Sequence, residues 1–191
     1  MFDFINYKIE NKYRFSQNLK PSFYKLNVLL HLKLSPILKK IAIIILGLFV
    51  LIQFIRIDQS NSSVDKGKDF ASNETIPVDV RAIVKRSCYD CHSMETYYPW
   101  YANVAPISWW INGHIQEGRK FINFSNWENY TNEEKSRKLV NSLAYIKPDM
   151  MPLPSYVSRH PEAKLSVKDK KVLKEWMMKE AERLNPNLKK D

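Results

Sequence analysis

Two thiols and an imidazole stand together in the run Cys88-Tyr89-Asp90-Cys91-His92, and these are the chain's only 2 cysteines. On a helical turn, positions i, i+3 and i+4 face the same way. Cys88, Cys91 and His92 occupy those positions. This is the C-x-x-C-H spacing of c-type haem attachment. Two sulfurs so placed can bond to the two vinyl groups on one edge of a porphyrin while the imidazole reaches the iron. Covalent attachment also retains a cofactor that would otherwise be lost outside the cytoplasm.

Other uses of the same residues fit less well. A structural disulfide is possible in an oxidising compartment. A thioredoxin-like dithiol needs a βαβ setting, and no alternating strand pattern is visible. Zinc needs four ligands, and beside the two cysteines there are only 4 histidines, widely spread. One covalent haem is therefore expected, with Cys88 and Cys91 as attachment points and His92 as the axial ligand. A large apolar disc needs flat hydrophobic walls. Tyr97, Tyr98, Trp100, Tyr101, Trp109 and Trp110 could supply them or simply form the core of a small domain.

The occupant of the sixth iron position sets the redox behaviour. Met151, in the stiff, proline-marked run "MMPLP", is the favoured residue. His114, Met150, His160, Met94 and an open site remain alternatives. His114 lies on the apolar face of a helix, where packing is its simpler role, and His160 before Pro161 reads as a loop or cap residue.

Four helical patterns must position these groups. Val80, Ile83 and Val84 share a face that leads into Cys88. Ile107, Trp110, Ile111, His114 and Ile115 follow Pro106 at helical spacing. Thr131-x-x-Glu134 is a capping box ahead of Leu139, Leu143 and Ile146. Ser166-x-x-Asp169 opens a last helix with Val172, Leu173, Trp176, Met177 and Leu184 on its apolar face. The run from Pro148 to Tyr156 carries three prolines and cannot be helical for long. With 4 glycines against 10 prolines, no strand pattern and no repeat, the chain reads as all-α.

At 191 residues there is room for one domain and extensions. The net charge of +10 suggests nucleic acid, but the first forty residues alone hold eight basic side chains against two acidic ones. The excess belongs to the tail and not to a binding face, so no nucleic-acid partner is expected. "IAIIILGLFVLIQFIRI", Ile41 to Ile57, is the most apolar stretch. Its uninterrupted core is short for a bilayer, which needs roughly 20 residues. Ile37 and Leu38 extend it, and Lys39, Lys40 and Arg56 can snorkel from its ends. The following "DQSNSSVDKGKDF" offers no clear A-x-A cleavage site, so an uncleaved signal anchor is favoured over a removed signal peptide. Basic residues on its N-terminal side predict a single pass through the inner membrane, with residues from Asp58 onward in the periplasm or outside.

The expected organisation is a basic cytoplasmic extension over 1–36, a transmembrane segment over 37–57, a polar tether with nothing to bury over 58–76, a helical domain over 77–185 and a short tail over 186–191. The stretches "CYDCHSMETYYPWYANVAPISWWINGHIQEGRKFINFSNW" and "MPLPSYVSRHPEAKLS", with the closing helix that carries Trp176, resemble the bacterial haem-binding domain family. The likeness spans about Val78 to Leu184. It implies a single covalent haem c in a small cytochrome c-like helical domain, often behind an N-terminal membrane segment. It implies Cys88 and Cys91 as haem bonds and His92 as proximal ligand. The family's Met-Pro pair falls on Met151-Pro152, which supports that thioether over Met150. The histidine of its H-x-x-E-G segment falls on His114. Expected partners are the membrane and exported redox proteins, and the expected role is single-electron transfer and not enzymatic turnover. The alternative is a haem-based gas or redox sensor, or a peroxide-type haem enzyme. No Gly-x-Ser-x-Gly elbow or comparable hydrolase signature is present.

Overall fold

The computed structural model describes residues 35–189. They form two units divided after Leu51. The expected basic extension, apart from its last two residues, and the tail beyond Lys189 lie outside the described residues. Among the described residues there are six α-helices and no strand, an all-α architecture.

The described part of the first unit is taken up by α1, Pro36–Ile52, which ends one residue past the division and whose 17 residues include none that is buried. Ser35 caps it by accepting from the Leu38 N–H at 3.3 Å, and Pro36 supplies a first position that needs no donor. At 1.5 Å per residue this helix is about 25 Å long. No helix among the described residues is long and apolar enough to cross a membrane. The apolar run expected to reach Ile57 leaves the helix at Ile52.

The second unit begins with residues drawn into the folded domain by their side chains. Gln53 donates to the Ala105 carbonyl at 3.1 Å and accepts the Ala105 N–H at 2.9 Å. Gln59 donates to the Ala102 carbonyl at 2.8 Å, and Asn61 makes a reciprocal pair with the Thr96 backbone at 2.9 and 3.1 Å. The expectation that 58–76 buries nothing is corrected here. Phe70 is wholly buried and packs edge-on against Phe124, Trp127 and Trp176, with ring centroids 5.1–5.6 Å apart. One large aromatic in a polar run is enough to pin it, since burying such a ring contributes about 1.5–3 kcal/mol.

The other helices are α2 (Val78–His92), α3 (Ile107–Phe121), α4 (Asn132–Ile146), the single turn α5 (Pro154–Val157) and α6 (Val167–Leu184). Both capping boxes form, at Thr131–Glu134 and at Ser166–Asp169, and each closes two backbone donors at its helix start. Val80, Ile83 and Val84 of α2, Leu139 of α4 and Leu173 and Met177 of α6 meet in one core with Phe70 and Phe124. The α4–α6 seam also buries a hydrogen bond from Ser136 Oγ to the Ala181 carbonyl at 2.8 Å. Helix α3 differs from its pattern. Ile107 and Trp110 are 46% and 53% exposed, while Ser108, Ile115 and Gly118 are buried. The face read as core therefore belongs in part to a cavity wall.

Candidate haem site

The last turn of α2 carries Cys88, Cys91 and His92, with both cysteines as free thiols. The intervening residues hold that turn in place from its other sides. The buried Tyr89 hydroxyl donates to Asp69 Oδ1 at 2.9 Å and accepts the Ala71 N–H at 2.8 Å. Asp90 accepts the Tyr156 hydroxyl at 2.6 Å and the Tyr97 N–H at 3.1 Å. Burial raises both thiols, Cys88 to about 12 and Cys91 to about 11. They stay protonated at neutral pH, unlike the activated thiolate of a dithiol oxidoreductase.

His92 meets α3 through its Nδ1, which lies 2.9 Å from the Gly118 carbonyl and 3.3 Å from that of Ile122. A carbonyl only accepts, so Nδ1 carries the proton and Nε2 keeps its lone pair. Burial lowers the pKa of the ring, and the two backbone hydrogen bonds only partly oppose that. The imidazole is thus neutral, in the tautomer a metal requires. Gly118 is essential to this approach. A Cβ there would lie 2.6 Å from the Cys91 carbonyl oxygen and 3.4 Å from His92 Cε1.

Cys88, Cys91 and His92 open on a largely apolar cavity of about 880 Å³. That is within the usual range for a buried ligand. Its walls include Trp109, Trp110, Phe121, Tyr145, Met151 and Leu153. His114 also lines it, with Nδ1 2.8 Å from the Trp110 carbonyl and its ring 4.3 Å from that of Trp110. Met151 is placed by the end of α4, where the Tyr145 carbonyl accepts the N–H groups of Met150 and Met151 at 3.0 and 3.1 Å. Met151 turns into the cavity, while Met150 stands outside it and is 53% exposed. Trp100 is 78% exposed and also outside. Neither Met94 nor His160 lines the cavity. His160 Nε2 lies 3.1 Å from the Tyr101 hydroxyl, and Nδ1 lies 3.2 Å from Glu162.

The residues present fit a haem. The donor set is two thiols, a neutral imidazole and a soft thioether beside an apolar space. Ser87, 5% exposed on the cavity wall, has a hydroxyl with no protein partner. A buried orphan hydroxyl is costly unless a bound group or water satisfies it. Among the described residues, no cluster of three His, Cys, Asp or Glu side chains could hold a bare metal ion. Sequence reasoning missed Gly118, Ser87, Phe121, Tyr145 and the Asp90–Tyr156 pair. A glycine in the interior of a helical pattern was the visible signal for Gly118.

The haem-binding domain family matches this chain over residues 47–179, well over half of its length. The chain belongs to that family and is a haem-binding protein. Neither the curated proteins nor the solved structures gave a match.

Proposed function

We propose that the protein is a membrane-anchored c-type haem protein that carries single electrons between exported redox partners. In this reading one haem c is bonded to Cys88 and Cys91, with His92 and Met151 as axial ligands, in a small cytochrome c-like domain. The observation that carries it is the meeting of both thiols, a metal-ready imidazole and a thioether at one apolar cavity.

Bound haem supplies a one-electron couple at its iron. The chain's own residues do the rest. Cys88 and Cys91 hold the group against the last turn of α2. The Gly118 carbonyl keeps the His92 Nδ1 proton and so presents Nε2. Trp109, Trp110, Phe121 and Tyr145 line the cavity with apolar surface, which lowers the polarity around a bound haem. An imidazole and a thioether together leave no coordination position for a substrate or gas, which supports a carrier over a sensor or peroxide-type enzyme.

The anchor and its location rest on the sequence. Helix α1 carries Lys39 and Lys40 near its start and no charge from Ile41 to Ile52. Basic residues on that side favour a cytoplasmic N-terminus and a periplasmic domain. Lysine snorkelling and local bilayer thinning accommodate a helix this short.

The test is spectroscopic. The reduced protein is expected to be six-coordinate and low-spin and to resist carbon monoxide, and Met151→Ala is expected to lower the potential and admit the gas. Rapid carbon monoxide binding to the wild type would favour the sensor or enzyme. An unchanged spectrum and potential in Met151→Ala, with a changed one in His114→Ala, would move the sixth position to His114.

A further inference from the structure

The segment that carries Met151 is held at both ends. At its start, the Met151 N–H is bound to the Tyr145 carbonyl at the end of α4. Five residues on, Tyr156 in α5 donates its hydroxyl to Asp90 Oδ2 at 2.6 Å, across 66 positions of sequence. Asp90 belongs to the attachment turn itself, next to Cys91 and two residues before His92. It is fixed there by its helix, by the Tyr97 N–H at 3.1 Å, and by the Thr96 hydroxyl on its carbonyl at 2.7 Å. The element that presents the imidazole and the segment that presents the thioether are thus joined by one hydrogen bond, and both of its residues line the cavity.

We propose that the Asp90–Tyr156 hydrogen bond is a latch that positions Met151 as an axial ligand, with Asp90 and Tyr156 as positioning residues. This role presupposes the Met151 assignment proposed above. The bond is short and its acceptor is a carboxylate, which places it among the stronger hydrogen bonds. Burial, and then the bond to Asp90 itself, push the Tyr156 phenol above its ordinary range, so it remains a donor at physiological pH. The Tyr156 ring also stacks on His160, with centroids 4.4 Å apart and planes within 16°. The ring therefore has a packing role separate from the hydroxyl, and Tyr156→Phe removes the latch while keeping the stack.

Only a thioether that leaves the iron admits carbon monoxide. Loss of a hydrogen bond to a charged group shifts such an equilibrium by about ten- to hundredfold. The full chain, matured with haem, is tested in the reduced state. Tyr156→Phe should bind carbon monoxide about ten- to hundredfold faster than the wild type. In the oxidised state, the far-red thioether-to-iron charge-transfer band should weaken. Asp90→Asn keeps an acceptor oxygen without the charge and should fall between the two. In an Asp90→Ala background, Tyr156→Phe should add nothing, an outcome that a packing role of the ring would not produce.

Tyr156→Phe with the wild-type gas rate and band overturns the latch, even if its melting temperature falls. Equal, additive effects of Tyr156→Phe with and without Asp90 overturn it too. If Tyr156→Phe yields no haem-loaded protein, the same two readings on Asp90→Asn decide. If Met151→Ala itself leaves the band and the gas rate unchanged, the ligand assignment fails and the latch fails with it. A changed Met151→Ala beside an unchanged Tyr156→Phe sinks the latch alone.

Discussion

Replacing Gly118 by alanine would place a methyl group 2.6 Å from the Cys91 carbonyl oxygen, a backbone atom inside α2. Real Cβ atoms essentially never approach closer than 3.0 Å, so α2 and α3 must part by about 0.4 Å at this point. In an open helix interior the same change would stabilise by up to about 1 kcal/mol. Overpacking a rigid contact costs about 1–3 kcal/mol. The net expectation is a loss of about 1–2 kcal/mol, or roughly 2–8 °C in melting temperature for a domain of this size. The same separation lengthens the 2.9 Å contact between His92 Nδ1 and the Gly118 carbonyl. With His92 as the proposed iron ligand, a weaker hydrogen bond there makes the imidazole a poorer electron donor, so the midpoint potential should rise. Thermal melts by circular dichroism and a redox titration of the haem-loaded protein read both effects. Gly118→Ala with a wild-type or higher melting temperature and an unchanged potential would refute the proposed close approach and its coupling to His92.

Further outcomes follow from other contacts. Tyr89→Phe leaves the Ala71 N–H and one oxygen of the buried Asp69 carboxylate without their phenol partner. It should cost about 1–3 kcal/mol, and a melting temperature within a degree of wild type would contradict this. Asp169 is held below the usual carboxylate range, chiefly by the Ser166 N–H at 2.8 Å and with help from Arg86. A carboxylate depressed on folding stabilises above its ordinary value near 3.9 and loses that contribution as pH falls through its lowered folded value. Asp169→Asn keeps an acceptor oxygen but loses the charge at the helix start, so it should cost about 0.3–1 kcal/mol at pH 7, and the cost should vanish in strong acid. Urea midpoints at the two pH values check it, and a pH-independent gap would contradict it.

The parts legible in the sequence are those fixed by near neighbours. Thr131 with Glu134 and Ser166 with Asp169 mark helix starts because a side chain closes a backbone donor three residues away. Cys88, Cys91 and His92 share a face because one helical turn brings i, i+3 and i+4 together. What was not legible depends on partners distant in sequence. Gln53 is drawn in by Ala105 across 52 positions, His92 meets Gly118 across 26, and Tyr156 meets Asp90 across 66. Phe70 looked like part of a polar tether because its three aromatic neighbours lie far along the chain. Between Met150 and Met151, the choice of which side chain enters the cavity depends on how the two N–H groups share the Tyr145 carbonyl. No periodicity reveals that register.

The proposed electron carrier depends on haem being bonded to the last turn of α2 through Cys88 and Cys91. The most direct measurement is intact-protein mass spectrometry after maturation in a host that attaches haem c, with Cys88→Ser/Cys91→Ser as the comparison. One haem should be retained on the wild-type polypeptide through acidified organic solvent and none on the double variant. A colourless wild-type product, or one that gives up all its haem to that solvent, would contradict it.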